Sequence, residues 1–564
     1  MSDGTATDGQ DGIWGRLWAG ASSRPGLAII LVCLLGILPG LFTTPPLDRD
    51  ESRYAQASRQ MLETGDFVEI RFQDEARNKK PAGIYWMQAA TATLFGGADH
   101  APIWAYRIPS VLGIIGAALA TFWAGCALFD RRVALLGALL LGASLSAVVE
   151  GHIAKTDAML LFTIVVAQGA MARAYLSARR GEAKPGWGIT TAFWVAQGLG
   201  LLIKGPITPM VSALTFIGLA IVDRDIKWGA RLRPFTGVLI AALIALPWLI
   251  AIYIATDGAF FAEAVGNDMG GKLISGQERH GGIPGYHLLL LTAMFWPAGL
   301  FVWPALARSW TERKAAAVRF CIAWIVPTWL VFELTSTKLP HYVLPTYPAL
   351  ALLTAAFLFS EARTGFAIWR KVGAALWVLI TVLLCVAAVV VPAIYGEGVY
   401  WLIAPLAALI AAAAVAVGIK AWRAAAPLTA FEGILVGLAT MAMVFQLTLP
   451  ALDDLALSPR LAAAAERNMG DGAPATVSTG YAEPSLVFLT GTDTILDTPE
   501  VAADHLAAMP GAVALVATEQ NERFLARAAE LHLDVEVREE IEGFNYSGGD
   551  PLTILVYRAA EDPR

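Results

Sequence analysis

Charged residues are scarce in this chain. Only 16% of its 564 residues are charged and 56% are hydrophobic, which excludes an ordinary soluble protein and is typical of a polytopic membrane protein. The four cysteines show no CxxC or Cys/His spacing, which argues against a disulfide framework and a structural zinc site. No nucleotide-binding motif is present. The net charge of −6 is a sum over two compartments, and no nucleic-acid partner is expected.

Long apolar stretches predict about thirteen membrane spans, each able to cross roughly 30 Å of hydrocarbon. They lie near residues 25–44, 106–128, 132–150, 157–177, 188–203, 205–222, 234–255, 284–304, 318–336, 341–360, 373–393, 399–419 and 428–450. Only Lys204-Gly205-Pro206 separates the fifth span from the sixth. The run at 82–96 is too short to span and indicates an interfacial helix.

Lys and Arg residues occur in every second loop, which predicts the orientation because cytoplasmic loops retain these residues during insertion. With the N-terminus inside, the cytoplasmic loops are the ones that hold, among others, Arg131, Arg179, Arg231, Arg313, Lys371 and Lys420. We therefore predict a cytoplasmic tail at 1–24, a membrane domain at 25–450 with outer loops at 45–105 and 256–283, and a periplasmic domain at 451–564. The expected location is the bacterial inner membrane.

The C-terminal tail changes character. Helical stretches (LAAAAERNM, VAADHLAAM, NERFLARAAELH) separate β-like runs (ATVSTG, LVFLTG, AVALVAT, DVEVREEI, TILVYRA), and this alternation is typical of a small α/β domain. The predicted fold class is therefore a polytopic α-helical membrane protein with a small soluble α/β domain at its C-terminus. The function of that domain cannot be read from its sequence.

Several lysines lie at the predicted outer ends of spans, where the orientation rule does not place them. Lys155, Lys204 and Lys338 occupy such positions, and Lys79 and Lys80 lie in the first outer loop. A cation at headgroup level is well placed to hold a lipid phosphate. Snorkelling of a long side chain explains any one of them equally well, but the set together favours an anion site.

Acidic residues accompany these lysines. Asp50 and Glu51 begin a predicted amphipathic surface helix, and Asp157 lies at the outer entrance of the fourth span. An ionisable residue at the edge of the hydrocarbon is costly to bury and is therefore a functional candidate. The alternative is that Asp50 and Asp157 are N-caps of their helices.

A set of short motifs in a fixed order resembles one family. The motifs are DESRYA (50–55), Gly65-Asp66, Lys80-Pro81, Tyr85-Trp86, Thr156-Asp157, Lys204-Gly205 and KLPHYVLP (338–345). In this order they are similar to the ArnT and protein O-mannosyltransferase (PMT) superfamily, the GT-C glycosyltransferases that use polyprenyl-phosphate sugars. The likeness covers most of the chain, including the predicted span count and the α/β tail.

The resemblance implies a sugar donor on a polyprenyl phosphate in the outer leaflet and transfer with inversion to an acceptor outside. It also implies that Asp50 is the catalytic carboxylate, with Asp157 as its partner. Residues implied in binding the donor phosphate are Arg53, Tyr54, Lys80 and Tyr342, with Lys204 and Lys338 as further candidates. Secondary candidates are Glu51, Tyr85, Arg279, His280 and His341.

A metal site is not predicted. Some aminoarabinose transferases have an acidic residue before the Lys-Pro pair and bind zinc in the outer loops, whereas this chain has Lys79 there. Glu278, His280 and His287 could supply ligands, but their spacing is not a recognised signature. No cofactor is required, and a divalent metal is possible but unsupported. We expect the stretch from Gln277 to Pro284 to form a mobile loop over the site.

Three functions agree with these features. The leading interpretation is transfer of a sugar such as aminoarabinose or galacturonic acid to lipid A or another envelope glycolipid. Transfer of mannose to protein Ser/Thr is the alternative within the same enzyme class. A lipid-linked sugar flippase or transporter is the alternative from another class, although transporters usually place their polar residues near mid-bilayer. Expected partners are the lipid-linked donor, a lipid A, glycolipid or protein acceptor, and membrane lipids.

Overall fold

The computed structural model describes residues 13–264, 282–470 and 475–560. Its helices up to the first gap are α1 (Ile13–Ser23), α2 (Pro25–Leu41), α3 (Asp50–Thr64), α4 (Gly83–Leu94), α5 (Gly97–His100), α6 (Ile103–Leu128), α7 (Arg131–Gly142), α8 (Leu145–Gly151), α9 (Asp157–Arg179), α10 (Trp187–Lys204), α11 (Ile207–Asp223), α12 (Pro234–Ala255) and α13 (Ala259–Phe261).

The described helices after that gap are α14 (Tyr286–Met294), α15 (Val302–Thr311), α16 (Ala316–Leu334), α17 (Tyr347–Leu358), α18 (Ala367–Val390), α19 (Pro392–Tyr395), α20 (Ala404–Arg423), α21 (Pro427–Met443), α22 (Leu457–Asn468), α23 (Pro484–Thr490), α24 (Pro499–Ala508) and α25 (Asn521–Glu530). Short 3-10 helices connect several of them, including Lys227–Leu232, Ala298–Phe301 and Leu344–Thr346.

The chain is a multi-pass membrane protein. Within the described residues, seven helices are long and apolar enough to cross a membrane, and the number rises to ten if each of three bent helix pairs is one span. The bent pairs are α1 with α2, α7 with α8, and the two helical segments Tyr286–Met294 and Ala298–Thr311. The predicted break after the fifth span is present, because α10 ends at Lys204 and α11 begins at Ile207. The count of thirteen stays a prediction.

Two close backbone approaches bring the site elements together. A Cβ on Gly113 of α6 would lie 2.6 Å from the backbone of Ala158, so α6 packs directly against the first turn of α9. A Cβ on Gly83 would lie 2.7 Å from the carbonyl oxygen of Leu202, which places the start of α4 against the end of α10. Small residues at helix contacts allow this approach in membrane proteins. The first turn of α9 therefore lies against α6, and the end of α10 lies against the start of α4.

The helix predicted to begin at Asp50 is present as α3, and other parts of the chain bury most of it. It packs against α4 on one side and against α23 of the C-terminal segment on another, and most of its residues are buried. Its polar side chains are consequently hydrogen bonded: Ser58 donates to Gln88 at 2.7 Å, and Gln60 accepts from the backbone N–H of Gln73 at 2.8 Å. Burying polar groups requires such partners. Helix α4 is present where the interfacial helix is predicted.

Strands β1 (Arg71–Phe72) and β2 (Glu75–Ala76) form a small antiparallel hairpin between α3 and α4. The C-terminal segment contains β3 (Val477–Thr479), β4 (Ile495–Leu496), β5 (Val513–Ala517), β6 (Val535–Asn545) and β7 (Asp550–Ala559). They form a five-stranded sheet in the order β4-β3-β5-β7-β6. Strands β4, β3 and β5 are parallel to one another, and β7 is antiparallel to both of its neighbours, β5 and β6. The predicted α/β character of the tail is confirmed.

One prediction for this segment is wrong. The run LVFLTG lies in helix α23 and its C-cap, although the sequence suggested a strand. Pro484 occupies the first turn of that helix, where its fixed φ favours helix and its missing N–H costs nothing. The helix is buried at consecutive positions from Pro484 to Phe488, which accounts for an apolar run without helical periodicity. The short strand β4 was not predicted.

Candidate functional site

Asp157 and Lys204 meet at the end of the bundle that carries α3 and α4. Asp157 is the first residue of α9 and Lys204 the last of α10. The Lys204 Nζ donates to Asp157 Oδ1 at 2.7 Å, and the two side chains are only 18% and 11% exposed. A charge-assisted hydrogen bond of this length in a largely buried setting holds both groups in fixed positions. The N-cap of α9 is Thr156, so the N-cap alternative for Asp157 does not describe its position.

Lys155, Glu150 and His341 extend this cluster. The Lys155 Nζ lies 3.0 Å from Glu150 Oε1 and 3.9 Å from Asp157 Oδ2. His341 lies between the carboxylates, 3.7 Å from Glu150 and 3.8 Å from Asp157. Burial, followed by the nearby charge of Lys155, lowers the pKa of His341 to about 3, because both effects disfavour an imidazolium. His341 is therefore neutral at physiological pH, and the positive charge comes from the lysines.

Asp50 lies at the exposed start of α3, within electrostatic range of Lys155 in this cluster. Its N-cap is Arg49 and not Asp50 itself, so Asp50 is the first residue inside the helix. Its carboxylate is within electrostatic range of Tyr54, Tyr85 and Lys155. Asp157 also acts on Tyr54. The two predicted carboxylates thus face a common set of groups, one of them exposed and the other largely buried and paired.

Two stacked tyrosines form the wall between α3 and α4. The rings of Tyr54 and Tyr85 are 5.1 Å apart, and the guanidinium of Arg77 lies over Tyr54 at 5.2 Å and within 3.3 Å of the Tyr85 hydroxyl. Burial raises the pKa of both phenols, so they stay protonated and can donate hydrogen bonds. Arg77 adds a cation to the site, although it is not among the residues predicted to bind the donor phosphate.

Glu51, a secondary candidate for the site, lies in a buried ion pair with Arg107. Both oxygens accept hydrogen bonds from Arg107, at 2.8 and 2.9 Å, and both side chains are 0% exposed. Glu51 also accepts from the backbone N–H of Ala154 and of Leu47, both at 2.9 Å. Its carboxylate is occupied by these internal contacts, and it ties the start of α3 to α6 and to the turn before α9.

The remaining predicted residues lie around this core. Arg53 is partly buried on α3 and lies within electrostatic range of Glu483 in the C-terminal segment. Lys80 is partly buried and its ammonium contacts the carbonyl of Lys79 at 3.1 Å. The ammonium of Lys338 is directed to the carbonyls of Gly282 and Thr335, at 3.2 and 3.1 Å, and the Tyr342 ring packs against Phe332. Arg279 and His280 lie outside the described residues, as does Glu278.

A histidine bridge holds the segment that carries Lys338 and His341. His287 Nδ1 lies 2.9 Å from Glu333, and His287 Nε2 lies 3.1 Å from the carbonyl of Leu339. Both ring nitrogens of His287 are thus engaged within the protein. Within residues 13–264, 282–470 and 475–560, no three His, Cys, Asp or Glu side chains are placed so that they could hold one metal ion.

Three charged residues of the site were missed. Arg107 is isolated in the sequence, whereas Arg77 lies in the charged run DEARNKK (74–80), and the partners of both lie on other elements. Glu150 could have been found, because it is an ionisable residue within a predicted span, which is a recognised signal. Lys155 was noted as an outer lysine, and the structure places it between Glu150 and Asp157.

The assembled groups suit one kind of chemistry. Lys155 and Lys204 are fixed cations in a largely buried setting, where preorganised charge stabilises a developing anion without reorganisation. Although burial alone would lower the pKa of Lys155, the Glu150 and Asp157 carboxylates outweigh it and raise that pKa, so this ammonium stays charged. An exposed carboxylate, Asp50, faces the cluster. The arrangement can hold an anionic leaving group beside a group able to activate or orient a nucleophile.

The chain is similar to membrane transferases in sequence and in fold. The model of the dolichyl-phosphate-mannose-protein mannosyltransferase family matches residues 23–259. Undecaprenyl phosphate-alpha-4-amino-4-deoxy-L-arabinose arabinosyl transferases are 29% identical over 341 residues in Pectobacterium carotovorum and 31% identical over 318 residues in Erwinia tasmaniensis. These matches cover 58% and 56% of both this chain and the relative, so the chain spans less than two thirds of the relatives it matches.

A solved structure shares the fold over nearly the whole chain. The crystal structure of ArnT from Cupriavidus metallidurans bound to undecaprenyl phosphate superposes with a TM-score of 0.71 and 18% identity, covering 96% of this chain and 98% of that one. The shared fold includes the helical bundle, and the family model covers α3, α4 and the Asp157–Lys204 pair. In motifs, sequence and fold together, the chain is similar to the ArnT-like members of the GT-C superfamily.

Proposed function

We propose that this protein is an inverting glycosyltransferase that moves a sugar from a polyprenyl-phosphate donor to an envelope glycolipid, with lipid A as the leading acceptor. The sugar is of the aminoarabinose or galacturonic acid type. The relatives named as aminoarabinose transferases support this assignment. So does the fold shared with a protein whose structure contains undecaprenyl phosphate.

The observation that carries the proposal is an exposed Asp50 within electrostatic range of a largely buried cluster of paired lysines and carboxylates. Asp50 is exposed and electrostatically coupled to Lys155, whereas Asp157 is largely buried and bonded to Lys204. Two carboxylates in such different settings have different roles. Asp50 is accessible to an acceptor, and Asp157 orients a cation.

The mechanism follows from these charges. Lys155 and Lys204, with Arg77 nearby, stabilise negative charge as it builds on the departing polyprenyl phosphate. The acceptor attacks the anomeric carbon from the face opposite the phosphate, which inverts its configuration. Asp50 acts as general base if the nucleophile is a hydroxyl group. If the nucleophile is a phosphate that is already anionic, Asp50 instead orients it or stabilises positive charge at the anomeric carbon.

We place the site at the periplasmic face of the bacterial inner membrane. Helix α9 runs from Asp157 to Arg179, a length of about 34 Å, so the candidate site and Arg179 lie at opposite ends of one helix. At the basic end, Asp223 pairs with Arg179 and Arg319. Arginines are retained on the cytoplasmic side, which puts Asp50 and the C-terminal sheet outside and the N-terminus inside.

A second candidate is transfer of mannose to protein. It is favoured by the match of the dolichyl-phosphate-mannose-protein mannosyltransferase family model to residues 23–259. A flippase or transporter for lipid-linked sugars is disfavoured by the location of the charged cluster, which lies at helix ends and not at the centre of a span.

Mass spectrometry of lipid A and glycolipids from cells tests the proposal. The strains carry the wild-type chain, Asp50→Ala, no copy, or Asp74→Ala, which changes an exposed aspartate in the β1–β2 turn. We expect a sugar-sized mass on the acceptor in the wild-type and Asp74→Ala strains alone. If the four glycolipid profiles are identical, the lipid acceptor is wrong, and glycoproteomics of secreted proteins then decides between the protein acceptor and the transporter.

A further inference from the structure

The turn that precedes Asp50 is held by the C-terminal segment. Arg49 has a positive φ, with φ 63° and ψ −107°, which a non-glycine residue rarely takes without support from its surroundings. The Tyr546 hydroxyl accepts a hydrogen bond from the backbone N–H of Asp48 at 2.6 Å. The Arg49 guanidinium donates to the carbonyl of Ser547 at 2.6 Å. The support for this turn therefore comes from the loop between β6 and β7.

That loop is itself fixed. Asn545 Oδ1 accepts from the backbone N–H groups of Ser547 and Gly548, at 3.0 and 3.1 Å, and the Gly549 N–H donates to the Asn545 carbonyl at 2.7 Å. A loop closed by three such bonds presents Tyr546 in one place. The contact with Asp48 and Arg49 is therefore made by a preorganised element.

A second contact comes from α23. The Ser485 hydroxyl donates to the carboxylate of Asp48. The Ser458 hydroxyl bonds to Ser485 at 2.6 Å and to Tyr481 at 2.7 Å, so Asp48 joins a chain of hydroxyl groups anchored in the core of the C-terminal segment. Burial raises the pKa of Asp48.

Contacts continue along the rest of α3. Gln56 donates to the Thr492 hydroxyl at 2.6 Å, and Thr492 donates in turn to Glu63 at 2.7 Å. Arg59 donates to the carbonyl of Phe488 at 3.0 Å. Hydrogen bonds therefore hold α3 against the C-terminal segment along much of its length.

We propose that the C-terminal α/β segment positions Asp50, with Tyr546, Ser485 and Asp48 as positioning residues that fix the Asp48–Arg49 turn. This inference rests on the proposed transfer reaction, and it gives a role to a segment whose sequence suggests none. Because the reacting groups must be aligned closely, loosening the first turn of α3 lowers the rate of the chemical step more than it weakens substrate binding.

The first test compares Tyr546→Phe with Tyr557→Phe in the full-length purified protein. Each substitution removes one hydroxyl from the same sheet, but Tyr557 donates to Asn521 at 2.8 Å within the segment and is remote from α3. We expect kcat to fall about tenfold in Tyr546→Phe, with KM for the lipid donor little changed. Thermal stability should match that of Tyr557→Phe. An unchanged kcat in Tyr546→Phe overturns the proposal, and so does a loss of activity that merely follows a loss of stability.

The second test uses the side chain of Asp48. Asp48→Asn keeps an oxygen acceptor for Ser485, whereas Asp48→Ala removes it. Since burial already disfavours the charged carboxylate, we expect Asp48→Asn to retain near wild-type kcat and Asp48→Ala to lose it. Equal rates for the two variants contradict the proposal.

A third measurement does not depend on activity. Hydrogen exchange of the backbone amides at 49–54, followed by mass spectrometry, should be faster in Tyr546→Phe than in the wild type and in Tyr557→Phe. Unchanged exchange there overturns the positioning role. A different result would show that the proposed reaction itself is wrong. In that case Asp50→Asn retains full transfer activity, or the wild type transfers no sugar, while amide exchange at 49–54 is still faster in Tyr546→Phe than in the wild type.

Discussion

The buried ion pair of Glu51 and Arg107 predicts how much free energy of unfolding is lost when one partner is removed. Both side chains are 0% exposed. Arg107 donates to both oxygens of Glu51 and to the backbone carbonyls of Leu41, Thr44 and Pro45, at 2.8 to 2.9 Å. Arg107→Met removes all of these donors and leaves a carboxylate buried without its counter-ion. Breaking such a pair from one side costs about 3–5 kcal/mol.

Unfolding by SDS titration in mixed micelles, followed by tryptophan fluorescence, measures this loss. The double variant Glu51→Leu/Arg107→Met removes both charges and should recover much of the stability, because an apolar pair avoids the desolvation cost. Arg523→Met is the control, since Arg523 pairs with Glu500 at the surface, where the side chains are 59% and 40% exposed, and we expect no measurable loss there. An Arg107→Met protein as stable as the wild type would refute the assignment of Glu51 to a structural ion pair.

Three further outcomes are expected. His341 has a folded-state pKa of about 3, so between this value and the unfolded pKa of about 6.5 only the unfolded chain binds the proton. The free energy of unfolding therefore falls by up to about 1.4 kcal/mol for each unit by which the pH is lowered in this range. His341→Gln should reduce this loss of stability at acid pH in a pH series of unfolding curves. Gly83→Ala places a Cβ 2.7 Å from the Leu202 carbonyl and should cost about 1–3 kcal/mol in the same titration, whereas Gly26→Ala, with open space around it, should cost far less. Lys204→Met removes the ammonium that bonds Asp157 at 2.7 Å and should lower kcat/KM about a hundredfold in a transfer assay. A kcat/KM equal to that of the wild type would show that Lys204 does not stabilise the leaving phosphate.

The sequence predicted elements with strong local signals well. The membrane class, the break between α10 and α11, and a short helix at α4 follow from apolar run length and from Lys204-Gly205-Pro206. The order of the motifs led to Asp157 and Lys204, which the structure joins by a 2.7 Å hydrogen bond. The roles assigned to Asp50, Arg53, Lys80 and the other candidates stay predictions.

Long-range pairing was beyond the reach of the sequence. Arg107 meets Glu51 across 56 positions, and no local pattern marks either residue as the other's partner. The sequence predicts α3 as an amphipathic surface helix but gives no sign of the partners of its polar groups, which are buried and bonded to α4, the β1–β2 region and the C-terminal segment. In α23, Pro484 and burial on all sides overrode the strand-like apolar run.

Sugar transfer by the purified protein in proteoliposomes shows whether Asp50 is the catalytic carboxylate of a glycosyltransferase. The vesicles contain a polyprenyl-phosphate aminoarabinose donor and lipid A, and the product is followed by mass spectrometry for the wild type, Asp50→Asn and Asp74→Asn. We expect transfer with inversion by the wild type and by Asp74→Asn, and a rate at background for Asp50→Asn despite an unchanged fold. Transfer by Asp50→Asn at the wild-type rate would show that Asp50 is not the catalytic carboxylate.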